Sequence, residues 1–322
     1  MGIIKNSVFA FATTLALQSS VQAAFQEPHV IKDKFETLEQ VKDALRKEGL
    51  ESSDLIIGVD FTGSNQVQGR HTFNGRCLHE ISRHNQNPYQ AAIKIISSSL
   101  QEFDDDDIYP VYRFGDHETK GYRVLPLTSN MPEEGYEGFD DVMRAYSSAA
   151  NTLTFSGPTT FVPMIKKAIN IIKSKEENGQ YPYHILLILT DGAINDDYQG
   201  NINAIVKASN YPLSIIAVGV GDGPWDKMIQ FDDDIPKRKY DNFQFVEFHE
   251  QVRDLDHMDE GDEEDFATAA LQEIPEQYQK IKELGLMNAK RPVYKTPYAQ
   301  GRTSDTQGKQ ASKKSKKWWK FG

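Results

Sequence analysis

The apolar residues of the chain fall into two kinds of segment, which alternate along the sequence. In the first kind nearly every residue is apolar over a short run, as in residues 55–60, 184–190 and 213–220. Continuous runs of this length predict strands that are buried on both faces of a sheet. In the second kind apolar residues recur at helical spacing. Alternation of the two kinds predicts a doubly wound, mainly parallel α/β sheet flanked by helices.

Helix boundaries are indicated by residues that start or stop helices. Residues 37–48 carry apolar residues on one face and are followed by Gly49, which predicts a helix end. Pro88 opens a second helix that runs to about residue 100. Further helices are predicted over residues 139–149, from the turn at 155–160 to about 175, around 202–206, and over 266–278 with a break at Pro275.

Outside the central strands, the pattern predicts a hairpin and one more strand. Residues 108–114 and 122–127 are predicted to pair through a turn at 115–118, and a last strand covers 243–248.

Trp225 is expected to pack its loop. His79, His117 and His184 are expected to be core or surface histidines. The acids of 104–107 and 254–265 are expected to face solvent. The alternatives are a calcium site at 104–107 and, for 254–265, a ligand supplied by the chain to its own cation site.

Composition and charge limit the class of protein. The chain has 322 residues, of which 39% are hydrophobic and 26% charged, as is ordinary for a soluble protein with a buried core. The net charge of −11 would repel phosphate, so no nucleic-acid partner is expected. We predict one domain over residues 36–283 with flexible tails, a leader over 1–24 and a basic disordered tail over 289–322.

The two ends of the chain leave its compartment open. Residues 7–17 are apolar, follow Lys5 and precede small residues at 21–24, which is typical of a secretory signal peptide. An acylated or simply disordered leader is the alternative, because Gly2 follows the initiator methionine. The segment from Lys313 to Phe321 combines lysines with aromatic residues, which favours an anionic membrane surface. A solubilising end or a localisation signal is the alternative for that segment.

Oxygen-bearing side chains follow several of the predicted strands and loops. Asp60, Thr62 and Ser64 stand at alternate positions after the first strand, Thr159 lies in the turn at 155–160, and Asp191 follows the strand at 184–190. Ligands of open α/β sheets bind at the carboxyl ends of strands, so these five side chains are expected at one edge. Carboxylates and hydroxyls are hard donors, which suit Mg²⁺ first, then Mn²⁺ or Ca²⁺, rather than zinc.

This constellation resembles the metal-ion-dependent adhesion site of von Willebrand factor A domains, which have a Rossmann-like fold. The family pattern is Asp-x-Ser-x-Ser, a threonine and a later aspartate; Thr62 replaces the first serine and keeps the hydroxyl. The resemblance implies that Thr62 and Ser64 bind the cation directly, that Asp60 and Asp191 supply charge and orient waters, and that Thr159 lies on a loop that moves. It also implies an open coordination position for an acidic side chain of a partner protein.

Further motifs are spread along residues 36–280. They are Gly49-Leu50-Glu51-Ser52-Ser53, Phe61-Thr62-Gly63-Ser64-Asn65, Phe73-Asn74-Gly75-Arg76-Cys77-Leu78-His79, Asn87-Pro88-Tyr89, Phe114-Gly115-Asp116, Ser156-Gly157-Pro158-Thr159, Val218-Gly219-Val220-Gly221-Asp222-Gly223-Pro224-Trp225-Asp226, Phe231-Asp232-Asp233-Asp234-Ile235-Pro236 and Phe243-Gln244-Phe245-Val246. In these motifs the chain more closely resembles a copine-type A domain, in the version found in RGLG-type ubiquitin ligases. This resemblance implies a cytoplasmic or membrane-peripheral binding module, with a ubiquitin ligase or conjugating enzyme as a further partner.

Two departures from those families limit the expected activity. A RING domain needs about eight Cys and His ligands, whereas Cys77 is the only cysteine, so RING ligase activity is not expected of this chain and no catalytic residue is predicted. Copines carry paired lipid-binding domains before the A domain, for which the 54 residues before the first strand are too few. The expected function is therefore non-enzymatic, divalent-metal-dependent protein binding.

An Mg²⁺-dependent phosphohydrolase is the enzymatic alternative. In this alternative Asp60 is the nucleophile and Asp191 holds the metal. Dehalogenase-type sites, however, have a second acid two residues after the nucleophile, where this chain has Thr62. No lysine occupies an obvious phosphate-clamping position either.

Overall fold

The structure is a computed structural model that describes residues 30–192, 194 and 197–290. The predicted leader and the basic segment from Lys313 to Phe321 lie outside the described residues. The bounds of the central strands are β1 Asp54–Asp60, β3 Val111–Phe114, β4 Leu125–Pro126, β6 His184–Thr190, β7 Leu213–Gly219 and β8 Phe243–Glu247. Two further strands, β2 Ile108–Tyr109 and β5 Tyr136–Glu137, pair with each other in an antiparallel ribbon.

The central strands form one six-stranded sheet in the order β4-β3-β1-β6-β7-β8. Only the pair β3–β4 is antiparallel, and every other neighbouring pair in this sheet is parallel. The sheet is flanked by the helices α1 Leu38–Glu48, α2 Pro88–Leu100, α3 Gly138–Thr152, α4 Val162–Ser174, α5 Tyr198–Ala208, α6 Asp226–Asp233, α7 Phe248–Gln251, α8 Glu260–Leu271 and α9 Ile274–Glu283. The predicted doubly wound, mainly parallel α/β sheet is thus confirmed.

Alternate residues of each central strand feed two separate cores. In β1, Ile57 belongs to the core beneath α1, α2, α3, α8 and α9, whereas Ile56 belongs to the core beneath α4, α5 and α6. Gly58 faces α4, where a Cβ atom would lie 2.9 Å from Cγ of Met164. Burial on both faces explains why these strands are continuously apolar.

The outer part of the sheet departs from the prediction. Pro110 interrupts the predicted strand at 108–114, because proline has no N–H for the ladder. The first half pairs with β5 and only the second half belongs to the main sheet. Residues 122–124 do not pair; they belong to a long loop from Gly115 to Val124.

Two helices at the end of the domain replace the one that the pattern indicated. The predicted break at Pro275 is confirmed, since α8 ends at Leu271 and Pro275 lies in the first turn of α9. Apolar periodicity did not predict helix α6, because only Met228 and Phe231 of its eight residues are buried. No helix of the described ranges is both long and apolar enough to cross a bilayer.

Candidate metal centre

The predicted ligands lie at the carboxyl edge of the sheet. Asp60 is the last residue of β1, and Asp191 directly follows β6, the strand beside it. Both carboxylates are completely buried, and Thr62 and Thr159 are only 2% and 5% exposed. Ser64 is partly exposed and marks the side on which the site meets solvent.

The loop after β1 brings the first three ligands together. The backbone N–H of Thr62 donates to Oδ1 of Asp60 at 2.8 Å, and the hydroxyl oxygens of Thr62 and Ser64 are 3.1 Å apart. A short 3₁₀ turn over Gly63–Gln66 follows at once. The amide of Asn65 donates to the carbonyl of Thr62 at 3.1 Å and so fixes this turn. Alternate positions in sequence therefore become neighbouring oxygens in space.

Strand β6 supplies a hydrogen bond to Asp60, and the residue after it, Asp191, supplies negative charge. The hydroxyl of Thr190, the last residue of β6, donates to Oδ2 of Asp60 at 2.7 Å. Burial, followed by the charge of Asp191, raises the pKa of Asp60 to about 8. Two buried carboxylates that repel each other form a site in which a cation is stabilising.

The loop that carries Thr159 is paired through its backbone to the loop after β1, residues 61–66, which is called the metal loop below because it carries Thr62 and Ser64. Ser156 forms a parallel bridge with Thr62, and its carbonyl accepts a 2.6 Å hydrogen bond from the N–H of Gly63. Thr159 follows three residues later and is buried at the same edge. The structure thus brings Asp60, Thr62 and Ser64 into contact and places Thr159 and Asp191 on the adjoining segments.

The donor set fits a hard divalent cation. It consists of two carboxylates and three hydroxyls, and its cation would neutralise the repulsion between Asp60 and Asp191. Within the described ranges no group of three or more His, Cys, Asp or Glu side chains is arranged to hold a metal. Three of the five ligands are neutral hydroxyls, which donate less charge to the ion than carboxylates do, and this favours an additional anionic ligand from outside.

Several residues that support the site were not predicted to do so. His79 is a buried core residue, as expected, but its Nε2 also donates to the carbonyl of Asp60 at 2.8 Å and its Nδ1 lies 2.8 Å from the hydroxyl of Tyr146. Its ring stacks between Phe61 and Tyr89, with centroid distances of 4.4 and 4.0 Å. Burial lowers the pKa of His79 to about 3, so the ring is neutral and its tautomer is set by these two partners.

The hydroxyl of Tyr89 completes this support by donating to Oδ1 of Asn65 at 2.7 Å. His79 and Tyr89 belong to two of the motifs that carry the copine resemblance. Their place in these motifs is the one indication in the sequence that they contribute to the site. No spacing along the chain connects either residue to Asp60, because they come from a loop and from α2.

Glycines allow the loops at this edge to approach one another. Gly115 has φ of +79°, and a Cβ atom there would lie 2.4 Å from Cγ2 of Thr62 and 3.0 Å from Oδ1 of Asp60. Trp225 packs across Gly192 and Gly219, where a Cβ atom would lie within 2.6 Å of the indole ring. The packing role expected for Trp225 is thus confirmed.

Comparison with known proteins identifies the family of this α/β domain. The copine family model matches residues 77–290, so the chain belongs to the copine family. It is 45% identical over 269 residues to copine family protein 2 of Caenorhabditis elegans, which covers 83% of this chain and 3% of that protein. The predicted resemblance to copines is confirmed.

Plant proteins are similarly close. The chain is 43% identical over 295 residues to the E3 ubiquitin-protein ligase RGLG4 of Arabidopsis thaliana, covering 88% of this chain and 71% of that protein. For the E3 ubiquitin-protein ligase RGLG3 of the same plant the identity is 46% over 266 residues, covering 79% and 70%. The chain therefore spans about seven-tenths of these plant relatives and a very small part of the nematode one.

Similarity to solved structures is remote. Manganese-loaded TRAP protein of Plasmodium vivax is 15% identical, with a TM-score of 0.40 and coverage of 63% of this chain and 72% of that one. The von Willebrand factor type A protein of Catenulispora acidiphila is also 15% identical, with a TM-score of 0.37 and coverage of 71% and 42%.

Proposed function

We propose that this copine-family domain is a non-enzymatic protein-binding module that depends on a divalent cation. The cation, Mg²⁺ by preference, is held by Asp60, Thr62, Ser64, Thr159 and Asp191. Its remaining coordination position accepts a carboxylate from a partner protein. The observation that carries this proposal is the pairing of two neighbouring hydroxyls, those of Thr62 and Ser64, with a buried carboxylate at a partly open sheet edge.

The chemistry of these ligands supports binding. Hydroxyl ligands carry no formal charge, so the bound ion remains strongly electrophilic towards an external carboxylate. Both oxygens of Asp60 accept hydrogen bonds within the protein, from Thr62 and Thr190. The phosphohydrolase alternative requires this buried carboxylate to attack a phosphorus atom. The two hydrogen bonds hold the carboxylate in a fixed orientation, which favours a role as a metal ligand over one as a nucleophile.

Isothermal titration of the full chain with Mg²⁺, Mn²⁺ and Ca²⁺ tests the metal site. We expect one cation per molecule in the wild type and none in Asp60→Asn, while Asp105→Asn, an exposed acid in the 104–107 turn, binds as the wild type does. Equal binding by Asp60→Asn and the wild type would refute the assignment. A phosphatase assay on generic monoesters addresses the alternative, and turnover abolished by Asp60→Asn would establish it.

Two wider roles belong to the same proposal, one suggested by similarity and the other by the residues of the C-terminal segment. The plant relatives are named E3 ubiquitin-protein ligases, so a ubiquitin ligase or conjugating enzyme is a candidate partner in an adaptor role. The segment from Lys313 to Phe321 is a candidate anchor for an anionic membrane. Co-purification of a ligase with the tagged protein, and liposome sedimentation with and without residues 309–322, test these two roles separately.

A further inference from the structure

Exposed apolar side chains are concentrated around the candidate metal centre. Four large hydrophobic residues of the described ranges are notably exposed. Tyr122 (86%) and Val67 (51%) lie in the segments that follow β3 and β1 at the carboxyl edge of the sheet, and Ile229 (51%) lies in α6, the helix that follows β7. The fourth, Leu284, follows α9 at the opposite edge. An aromatic side chain exposed to this extent, beside a binding site, is typical of a contact residue of an interface.

Two loops hold these side chains on either side of the metal loop. The first, after β3, carries Tyr122; it packs against the Thr159 loop, since a Cβ atom on Gly121 would lie 2.9 Å from Cγ of Pro158. The second, which follows Val67, is tied to the loop after β7, because the side chain of Gln68 donates to the carbonyl of Gly223 at 2.7 Å. In the strand order, β3 and β7 flank the pair β1–β6 that carries Asp60 and Asp191.

The same two loops carry positive charge on an acidic protein. Lys120 stands two residues before Tyr122, and Arg70 stands three residues after Val67; both are exposed. Neither forms a salt bridge with a residue that the structure describes, whereas nearby Arg113 is paired with Asp116 and Glu118. Exposed basic residues beside a cation site attract a ligand that carries several carboxylates.

We propose that Val67, Arg70, Lys120 and Tyr122 form a docking rim that selects the partner. The rim binds a segment in which the metal-bound carboxylate is flanked, within a few residues, by a second acid and by an apolar side chain. The second acid pairs with Arg70 or Lys120, and the apolar side chain packs on Tyr122 or Val67. This inference rests on the proposed function and adds to it the chemistry of the partner.

A display library of random dodecapeptides, selected on the immobilised full chain, tests the rim. We expect peptides that are enriched with Mg²⁺, and lost with EDTA, to contain an acid flanked by a further acid and an apolar residue. For the enriched peptides, measured by fluorescence polarisation, Tyr122→Ser and the double variant Arg70→Ser/Lys120→Ser each weaken binding by about tenfold or more. The matched controls Leu284→Ser and Lys207→Ser, exposed residues away from this edge, change it less than about twofold.

The outcomes separate the rim from the metal site. Rim variants that bind Mg²⁺ like the wild type by titration but lose the peptides support the rim. Three results would overturn the rim and leave the metal site standing. They are metal-dependent peptides without the flanking pattern, rim variants with unchanged peptide affinity, and an Mg²⁺-loaded chain that enriches no peptide. If Asp60→Asn binds Mg²⁺ as the wild type does, the proposed function itself fails.

Discussion

Thr190, at the end of β6, donates a 2.7 Å hydrogen bond to Oδ2 of Asp60, at the end of β1. The other oxygen of Asp60 accepts from the backbone of Thr62, so the carboxylate is fixed from the neighbouring strand and from its own loop. A ligand that is already oriented loses less conformational entropy when a metal binds. The pairing of β1 with β6 therefore sets the geometry of the site as well as the core.

Replacing Thr190 by valine removes this hydrogen bond and preserves the volume of the side chain. We expect the Mg²⁺ affinity of Thr190→Val to fall about tenfold and the free energy of unfolding to fall by about 1–3 kcal/mol. Titration calorimetry and urea denaturation measure the two effects. Thr268→Val is the control, because the hydroxyl of Thr268 bonds only within α8; a similar loss of affinity in both variants would contradict the role of Thr190.

Asp60→Asn should change stability in opposite directions with and without metal. The pKa of Asp60 is raised to about 8, so its ionised form is disfavoured in the folded chain without a cation. In EDTA at pH 8 we expect the variant to be at least as stable as the wild type, because it removes repulsion with Asp191. In saturating Mg²⁺ only the wild type gains stability, by linkage. Thermal unfolding under both conditions measures this, and an equal gain in both proteins would contradict it.

Gly115 contacts the metal loop and also has a backbone conformation that favours glycine. Substitutions at Gly115 and at Gly75 distinguish the effects of these two properties. Gly115 and Gly75 have φ of +79° and +75°, but a Cβ atom meets Thr62 and Asp60 only at Gly115, and nothing within 4 Å at Gly75. We expect Gly75→Ala to cost about 1 kcal/mol of unfolding free energy through backbone strain alone. Gly115→Ala should cost about 1–3 kcal/mol more and weaken Mg²⁺ binding. Equal effects of the two substitutions on binding would show that the contact is unimportant.

A second buried polar cluster lies away from the metal loop, between α6, β8 and α9. Arg238 pairs with Asp241 at 2.7 Å, both nearly inaccessible to solvent, and its guanidinium also donates to the carbonyl of Asp232. Burial raises the pKa of Asp232 to about 8, and burial together with the charges of Asp232 and Asp241 raises that of Glu273 to about 10. One arginine cannot neutralise two buried acids, Asp241 and Glu273, together with the partly buried Asp232.

This cluster predicts that stability falls as the pH rises. A carboxyl group whose pKa is raised binds its proton more tightly in the folded chain than in the unfolded chain, where the pKa is about 4. Its contribution is fully present below about pH 4 and is lost as the pH rises from there to the folded pKa, about 8 for Asp232 and about 10 for Glu273. We expect the free energy of unfolding to fall by about 1–3 kcal/mol between pH 5.5 and 8.5. Glu273→Gln should make this fall smaller, because only Asp232 of the two groups then remains, while Glu264→Gln, on an exposed residue, should leave it unchanged.

The sequence was most informative where burial alone decides structure. The strands β1, β6 and β7 follow from continuous apolar runs, and Asp60 and Asp191 follow from their carboxyl ends. The same reasoning failed for the segment around Pro110 and for α6, where few residues are apolar and neighbouring elements determine the pairing.

The hydrogen bonds that His79 and Tyr89 make to the residues of the site could not be predicted from the sequence. His79 reaches the carbonyl of Asp60 only because the loop after β1 folds back over α2, and Tyr89 reaches Asn65 from that helix. These hydrogen bonds depend on the packing of whole elements, which hydrophobic periodicity does not encode. The resemblance to a family pointed to these residues, but it did not show what they contact.

On the proposed function, the pairing of β1 with β6 also determines when a newly made chain becomes able to bind a partner. Asp60 emerges from the ribosome early and Asp191 much later, and the two carboxylates become neighbours only when β6 pairs with β1 in the sheet. A nascent or partly unfolded chain therefore lacks the proposed cation site, even though Asp60, Thr62 and Ser64 are already in place along the chain. On the proposed function, partner capture is restricted to molecules whose central sheet has finished assembling, and cation binding reports that assembly.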